Sequence, residues 1–254
     1  MIYGLYLSAT GVLTNSYRQD VISNNLANSE TVGFKKNVAL FEQRLTESQE
    51  RRNPLDANSL LDNIGGGLLC APTLVDTTQG ELETTGNKLD VAITGDGYFA
   101  VQGPSNSVRL TRNGSFSLDR QGNLILAVTG NKVLDQDRKP IVLDPTQRES
   151  IQVGSEGELT VAGKPIAKLG LFSVANPHEL KKEGDTLMSV ANTNKIAPSK
   201  ATVVGGALER SNVDPAIELS VLMDAQRQLE ANANMIKYQD STLQKLVNEV
   251  GKIG

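Results

Sequence analysis

The chain has 254 residues, enough for one or two domains with a sizeable core. Its net charge of −4 gives no reason to expect nucleic acid or an anionic membrane surface as a partner, and no apolar run approaches the roughly 18–20 residues of a membrane helix. Hydrophobic residues make up 39% of the chain, aromatic residues only 4%, and glycine occurs 23 times, which predicts a turn-rich β domain with a core of small and branched aliphatic side chains.

Residues 1–34 are predicted to form an N-terminal assembly helix. A spacing of three and four residues from Ile2 onward winds a seam along one side of a helix, and such a seam needs a partner helix to cover it. The seam consists of Ile2, Leu5, Ala9, Val12, Ser16, Gln19, Ser23 and Leu26. Asn24, Asn25 and Asn28 compete with helical hydrogen bonds, so the helix should end there.

Residues 35–72 are predicted to be a connector. Val38 to Leu45 could continue as a short helix, and the polar stretch from Glu47 to Asp62 has the composition of an extended or loosely ordered segment. The pair Lys35–Lys36 is too short to be a basic patch and is expected to be solvated. Cys70 is the only cysteine, which excludes an intramolecular disulfide, and its apolar neighbours predict a buried, inert thiol.

Residues 73–210 change to a period of two and are predicted to form a central, mostly antiparallel β domain. The run around Val91 alternates and is bounded by glycine and aspartate, the pattern of half-buried strands joined in hairpins. Two segments, one from Phe116 to Ile125 and one from Ile151 to Val161, share a short loop that ends in glycine. Gly122 and Gly157 are therefore predicted to adopt the left-handed conformation that closes each hairpin.

Residues 211–254 are predicted to form a C-terminal assembly helix. Asp214 can cap the first N–H groups, Pro215 suits the first helical position, and Glu218 lies near the positive end of the helix dipole. A second seam comprises Leu222, Ala225, Leu229, Asn232, Ile236, Gln239, Leu243, Leu246, Val250 and Ile253. The expected length of roughly 55–60 Å fits a coiled coil or a fibre, although the same spacing also occurs in ordinary core helices.

Residues typical of catalysis or metal binding are sparse. His178 is the only histidine and is expected in a surface loop, so no triad or multi-histidine metal site can be built. The segment from Asp119 to Asn123 resembles a calcium loop, but Gly130 stands where the bidentate glutamate would be, which favours a turn. Gly95-Asp96-Gly97 lacks the lysine and helix of a phosphate loop. We therefore predict no catalytic residues, no metal and no cofactor.

Four motifs resemble those of the bacterial flagellar rod and hook proteins. Asn24-Asn-Leu-Ala-Asn-Ser-Glu-Thr-Val-Gly-Phe-Lys35 is similar to the NNLANxxTxGFK signature, and Leu89 to Val101 is similar to LDVAIxGxGFFxV. Leu110 to Leu124 resembles YTRxGxFxxDxxGxL. Ser211-Asn-Val-Asp214, followed by Gln226-Arg227 and Glu230 to Asn232, resembles the C-terminal SNVD…QRxxEAN. The motifs occur in the family's order and span nearly the whole chain.

The resemblance implies an α+β protein in which paired N- and C-terminal coiled-coil helices flank the central β domain. It implies a non-enzymatic subunit of the basal-body rod that polymerises into a helical tube and transmits torque from rotor to hook. Its partners would be copies of itself, other flagellar rod and hook proteins, and the type III export apparatus, with no nucleic acid and no membrane insertion. The expected location is the periplasm-spanning rod, reached without a cleaved signal peptide.

The predicted assembly interface combines the two seams with the N-terminal motif. Its residues are Leu5, Ala9, Val12, Asn24, Asn25, Leu26, Asn28, Thr31, Gly33, Phe34, Leu222, Ala225, Gln226, Arg227, Leu229, Asn232, Ile236, Gln239, Leu243, Leu246 and Val250. The resemblance favours a proximal rod protein, because no long insertion follows Phe41, and leaves a distal rod protein as the alternative. A secreted binding module with a coiled-coil stalk and a hydrolase with a cleft in the β domain are the other classes left open.

Overall fold

A computed structural model of the chain describes residues 2–45, 67–184, 186–190 and 195–250. The chain forms two compact units. The helical unit comprises Met1–Leu26, Asn37–Leu74 and Asp214–Gly254, and the β unit comprises Ala27–Lys36 and Val75–Val213. The predicted stretch from Glu47 to Asp62, like Ile253, lies outside the described residues.

The helical unit contains both terminal helices, α1 (Ile2–Ala27) and α2 (Pro215–Val250). The start of α2 is the predicted one: Asp214 Oδ1 accepts hydrogen bonds from the N–H groups of Ala216 and Ile217, at 2.9 and 3.3 Å, and Pro215 is the first helical residue. With 36 residues, α2 is roughly 54 Å long. In α1, Thr14 Oγ1 donates to the Thr10 carbonyl at 3.0 Å, which satisfies a hydroxyl inside the helix.

A two-stranded ribbon completes the helical unit. Strands β1 (Asn37–Gln43) and β2 (Leu68–Val75) pair with each other, so the prediction that Val38 to Leu45 could continue as a helix is wrong. Exposure alternates along β1, and the ring of Phe41 lies edge-on to that of Tyr17 on α1, with centroids 6.3 Å apart. A period of two with one face on a helix is a strand pattern. Cys70 on β2 is exposed, which corrects the predicted buried thiol.

The β unit is built from short strands. Their bounds are β3 Leu82–Thr84, β4 Val91–Thr94, β5 Tyr98–Gln102, β6 Val108–Thr111, β7 Phe116–Leu118, β8 Leu124–Leu126, β9 Ile151–Val153, β10 Glu158–Val161, β11 Lys164–Lys168, β12 Leu171–Val174, β13 Leu180–Glu183, β14 Leu187–Val190, β15 Ile196–Pro198, β16 Thr202–Gly205 and β17 Ala207–Glu209. Short 3-10 turns occur at Pro104–Asn106, Pro145–Ser150 and Pro177–Glu179. The described strand pairs with a defined register are antiparallel, as predicted.

The largest sheet has six strands in the order β13-β14-β6-β5-β12-β15. Strand β5 faces two hydrophobic clusters at once: Phe99 and Val101 belong to one, whereas Tyr98 and Ala100 belong to the other. The strand is therefore buried on both faces, as β4 is, and the prediction of half-buried strands here is wrong. Alternating residue types did not signal exposure because the second face is also apolar: Ala92 on β4, and Tyr98 and Ala100 on β5, are buried.

The last strands return to the first strands of the unit. Strand β16 pairs with β4, and β17 pairs with β3. Gly122 and Gly157 both have φ of +81°, which confirms the predicted left-handed positions in the two hairpin loops. At Gly122 a Cβ would also lie 2.2 Å from the carbonyl oxygen of Leu143, so the position excludes a side chain for a second reason.

Candidate assembly surfaces and the buried ion cluster

The seam residues of α2 mark the side of the helix that is least accessible. Ala225 is 1% exposed, and its neighbours along the stripe are half-buried, whereas the predicted interface residues Gln226 and Arg227 are exposed. The half-buried seam members are Leu222, Leu229, Asn232, Ile236, Gln239 and Leu243. Leu246 is 39% exposed, and the side chain of Val250 lies outside the described residues.

Two glycines of α1 face the polar seam residues of α2. A Cβ at Gly11 would lie 2.7 Å from Asn232 Nδ2, and a Cβ at Gly4 would lie 2.7 Å from Gln239 Nε2. Residue numbers rise along α1 as they fall along α2, so the two helices approach antiparallel at these points. Sequence reasoning missed both glycines, although the shared spacing of seven residues was a readable signal.

The predicted α1 interface residues Leu5, Ala9 and Val12 are half-buried. The described residues also leave large apolar side chains accessible on both helices. On α1 these are Tyr6, Leu7 and Leu13, and on α2 they are Ile217, Leu219, Met223, Met235, Tyr238, Leu246 and Val247. Exposed apolar side chains that together form one patch mark a site of protein association, and seven of these ten lie on α2.

The motif that begins in the last turn of α1 is used largely inside the chain. Asn25 is 2% exposed and makes two hydrogen bonds to Asn37: its Nδ2 donates to the carbonyl at 2.9 Å, and its Oδ1 accepts from the N–H at 2.8 Å. Asn28 is also buried, and its Oδ1 accepts from Thr31 Oγ1 at 3.1 Å. Asn24 is exposed, and Leu26 and Thr31 are half-buried. These contacts close the end of α1 and start the ribbon.

Gly33 and Phe34 lie in the β unit. Gly33 has φ of +67°, its N–H donates to the Glu209 carbonyl at 2.7 Å, and a Cβ there would lie 2.4 Å from the backbone nitrogen of Asn113. Only glycine fits this approach. Phe34 is 1% exposed, with Lys182 Nζ 3.4 Å from its ring centroid, a cation–π geometry.

Three charged residues form a buried ion cluster at the same place: Lys35, Arg112 and Glu209. Their side chains are 0%, 2% and 0% exposed. Lys35 Nζ donates to Glu209 Oε1, and Arg112 Nη1 donates to Glu209 Oε2 at 3.1 Å. The prediction that Lys35 is a solvated surface residue is therefore wrong. Burial lowers the pKa of the Lys35 ammonium, an effect that the Glu209 carboxylate opposes.

Backbone groups complete the cluster and tie three segments together. Lys35 Nζ also donates to the Thr78 carbonyl at 2.6 Å, and the Gly80 N–H donates to Glu209 Oε1 at 2.9 Å. Asn212 Oδ1 accepts from the Lys36 N–H at 2.8 Å, while its Nδ2 donates to Thr78 Oγ1 at 3.0 Å. These hydrogen bonds join three segments of the chain: Lys35 and Lys36 before the ribbon, Thr78 and Gly80 after it, and Glu209 and Asn212 before α2.

Sequence reasoning missed this cluster. Lys35 and Glu209 are separated by 174 positions, so no local spacing could pair them. Sequence reasoning identified Asn212 only as part of the C-terminal motif. Its position just before α2 did not reveal that its side chain bonds to Lys36 and Thr78.

The structure offers no constellation typical of metal chemistry among the described residues. His178 is exposed, as predicted. Asp119 Oδ1 accepts from the N–H groups of Gln121 and Asn123, at 2.9 and 2.7 Å, which confirms the turn. The hydrogen bond from the Asn123 side chain lowers the pKa of the Asp119 carboxyl. Across the described ranges, no helix is long and apolar enough to cross a membrane.

Three family models match separate parts of the chain. Residues 5–35 match the family model for flagella basal body rod proteins, residues 92–161 match the flagellar hook protein FlgE/F/G D1 domain, and residues 204–249 match the C-terminal region of flagellar basal body rod FlgEFG proteins.

Individual relatives agree with the family models. The chain is 32% identical to the flagellar basal-body rod protein FlgG of Bacillus subtilis, covering 98% of this chain and 99% of the relative. It is 32% identical to FlgG of Buchnera aphidicola from Schizaphis graminum, covering 97% and 99%. It is 30% identical to the rod protein FlgF of Caulobacter vibrioides, covering 98% of each.

Proposed function

Because the chain belongs to the flagellar basal-body rod protein family, it is a structural subunit of the bacterial flagellar rod, and we propose that it polymerises into a helical tube through its terminal helices. In this proposal α1 and α2 pair as an antiparallel coiled coil, and the tube transmits torque from the rotor to the hook. The observation that carries the proposal is the set of large apolar side chains exposed along α2, which includes Met235 at 51% and Tyr238 at 71% exposure. Copies packed side by side would cover them.

The polar residues at the helix contact also support assembly. Gln239 Oε1 is buried and has no hydrogen-bond partner among the described residues, an arrangement that costs about 1–3 kcal/mol if it persists. A neighbouring subunit can supply the missing donor. Polar residues on a helix seam set the register of pairing at a cost in stability, so Asn232 and Gln239, which face Gly11 and Gly4, would set the register of α2 against α1. Head-to-tail contacts that do not close produce a helical filament.

The buried ion cluster supports the mechanical part of the proposal. Segments that join the helical unit to the β unit end in residues held by Lys35, Glu209 and Asn212. Breaking a buried ion pair by loss of one partner costs about 3–5 kcal/mol. These hydrogen bonds would keep the connecting segments together when torque loads the subunit.

The remaining proposals concern partners and location. We propose that the subunit contacts other rod and hook proteins, passes through the type III export apparatus into the periplasm, and has no catalytic activity. Within the rod we propose the proximal part, with the distal part as the alternative. Leu89-Asp90 within the second motif, and the lack of an obvious long insertion after Phe41, resemble the proximal protein more closely.

Two experiments test these proposals. Basal bodies purified from a strain that lacks the gene should show rods that end early in negative stain, and a plasmid copy should restore them. Cryo-electron tomography of a strain carrying a tag in the exposed loop at Gly163 should place the tag next to the rotor for a proximal protein, and next to the hook for a distal one. Full-length rods in the deletion strain would contradict the rod proposal and favour a secreted binding module.

A further inference from the structure

A groove of about 900 Å³ opens on the surface of the β unit. It lies between the turn at Gly95–Gly97, the end of β12, and the segment after edge strand β15. Residues that define its chemistry are Gly95, Asp96, Tyr98, Arg112, Ser199 and Lys200. Arg112 therefore belongs both to the buried ion cluster and to the wall of this groove.

In the part of the chain that the structure describes, two of the three guanidinium nitrogens of Arg112 have a hydrogen-bond acceptor, and the third does not. Its Nη1 donates to Glu209 Oε2 at 3.1 Å, and its Nη2 donates to the Gly95 carbonyl at 2.8 Å. Its Nε is buried and has no acceptor among the described residues. The guanidinium lies over the ring of Tyr98, with 5.1 Å between its central carbon and the ring centroid. A buried N–H without a partner is costly, and the guanidinium fork fits a carboxylate.

The charges around the groove favour an anion. Lys35 and Arg112 bring two positive charges into the buried ion cluster, and Glu209 brings one negative charge. Asp76 is near Lys35 but forms its own ion pair with Lys36 at 3.7 Å. Lys200 adds an exposed positive charge at the rim, and Asp96 is the opposing rim carboxylate, also exposed. Arg112 is the cluster residue that lines the groove, and a buried charge is screened little by solvent. Arg112 and Lys200 therefore present two positive charges against the one carboxylate of Asp96.

We propose that this groove binds an acidic side chain from a second copy of the chain, with the carboxylate directed at Arg112 and Lys200. The identity of the partner rests on the proposed function, in which identical subunits are neighbours. The acidic character of the chain, with net charge −4, makes a second copy complementary to a positively charged groove. The contact would hold β units to one another, separately from the terminal helices.

The first test measures whether a carboxylate binds in the groove of the unassembled full-length chain. Arginine Nε–Hε signals are resolved in nitrogen–proton NMR spectra, and the Arg112 signal is the one missing in an Arg112→Lys variant. Titration with N-acetylglutamate α-amide should shift this signal, whereas N-acetylglutamine α-amide, which has the same shape without the charge, should not. Lys200→Glu should abolish the shift and Lys164→Glu, at an exposed lysine outside the groove, should preserve it. No shift, or equal shifts with both probes, would overturn the proposal.

The second test identifies the source of the carboxylate. Lys200→Glu should lower the yield of assembled rod about fivefold, the size expected for loss of a partly exposed ion pair, and Lys164→Glu should leave the yield unchanged. If N-acetylglutamate α-amide shifts the Arg112 signal but Lys200→Glu assembles normally, the groove takes a free carboxylate and the second-copy assignment is wrong. The NMR test uses the monomer and does not depend on assembly. Failure of the groove proposal therefore appears as an unshifted Arg112 signal, whereas failure of the rod proposal appears as full-length rods in the deletion strain.

Discussion

Replacing Glu209 with alanine should destabilise the β unit far more than any exposed ion pair would suggest. Its side chain is 0% exposed and accepts hydrogen bonds from Lys35, Gly80 and Arg112. The substitution leaves two buried cations without their carboxylate, and breaking a buried ion pair in this way costs about 3–5 kcal/mol. Against a total stability of about 5–15 kcal/mol for an ordinary domain, this is a large fraction.

Urea unfolding of the full chain, followed by the strand signal in circular dichroism, measures the effect. With a slope of about 2 kcal/mol per molar urea, the midpoint should fall by about 2 M. Glu156→Ala is the matched control, because it removes a glutamate whose side chain is 75% exposed and whose partner Lys168 is 35% exposed. Such a pair contributes at most about 1 kcal/mol.

A second comparison separates the charge effect from loss of packing. In a Lys35→Met background, Glu209→Ala should cost less than in the parent chain, because one of the two stranded cations is gone. Residues in one hydrogen-bonded network show coupling of this kind. Equal costs in the two backgrounds, or a midpoint shift no larger than that of Glu156→Ala, would refute the argument from buried charge.

The remaining predictions concern the helical unit. Deletion of residues 244–254 should abolish rod assembly and leave the β unit folded, with helix signal lost and strand signal retained; normal motility of a strain with only this copy would contradict it. Asn232→Leu should favour premature oligomers, since it removes a desolvation cost of about 1–3 kcal/mol together with the residue that penalises shifted registers; a sedimentation profile and rod yield equal to the parent's would show that Asn232 does not set register. Gly11→Leu places a large side chain where a Cβ would already lie 2.7 Å from Asn232, and it should weaken assembly by about 1–3 kcal/mol per subunit. The control Asp20→Leu, at an exposed position, should not weaken assembly. Equal rod yields from the two variants would refute this prediction. Cys70→Ser should leave motility intact, because the exposed thiol has no second cysteine in the chain; a non-motile strain with normal protein levels would reveal an intermolecular role.

Local signals predicted the elements whose causes are local. The start of α2 follows from Asp214 and Pro215, and the hairpin loops follow from Gly122 and Gly157, because a cap or a left-handed turn depends on a few neighbouring residues. The period of two likewise located the strands of the β unit. The same signal was available from Val38 to Phe41, but the partner strand lies beyond residues 46–66, so the sequence alone did not distinguish a strand from a short helix.

Burial of charge could not be predicted in this way. Lys35 beside Lys36 has the local sequence of a surface pair, and only the distant Glu209 makes burial possible. The approach of α1 to α2 is an intermediate case. Gly4 and Gly11 share the seven-residue interval of Asn232 and Gln239, so the sequence contained the register of the contact, although glycine in a helix is more often read only as a loss of helix propensity.

The separation of 174 positions between Lys35 and Glu209 has a consequence for the order of folding. Strands β3 and β4 likewise cannot pair until β17 and β16, their partners near the end of the β unit, are available. Contacts between such distant residues form late, since a long loop must close first. A chain that leaves a narrow channel from either end therefore cannot complete the buried ion cluster until almost all of it has emerged. For a chain exported as proposed above, this topology delays completion of the β unit until late in translocation.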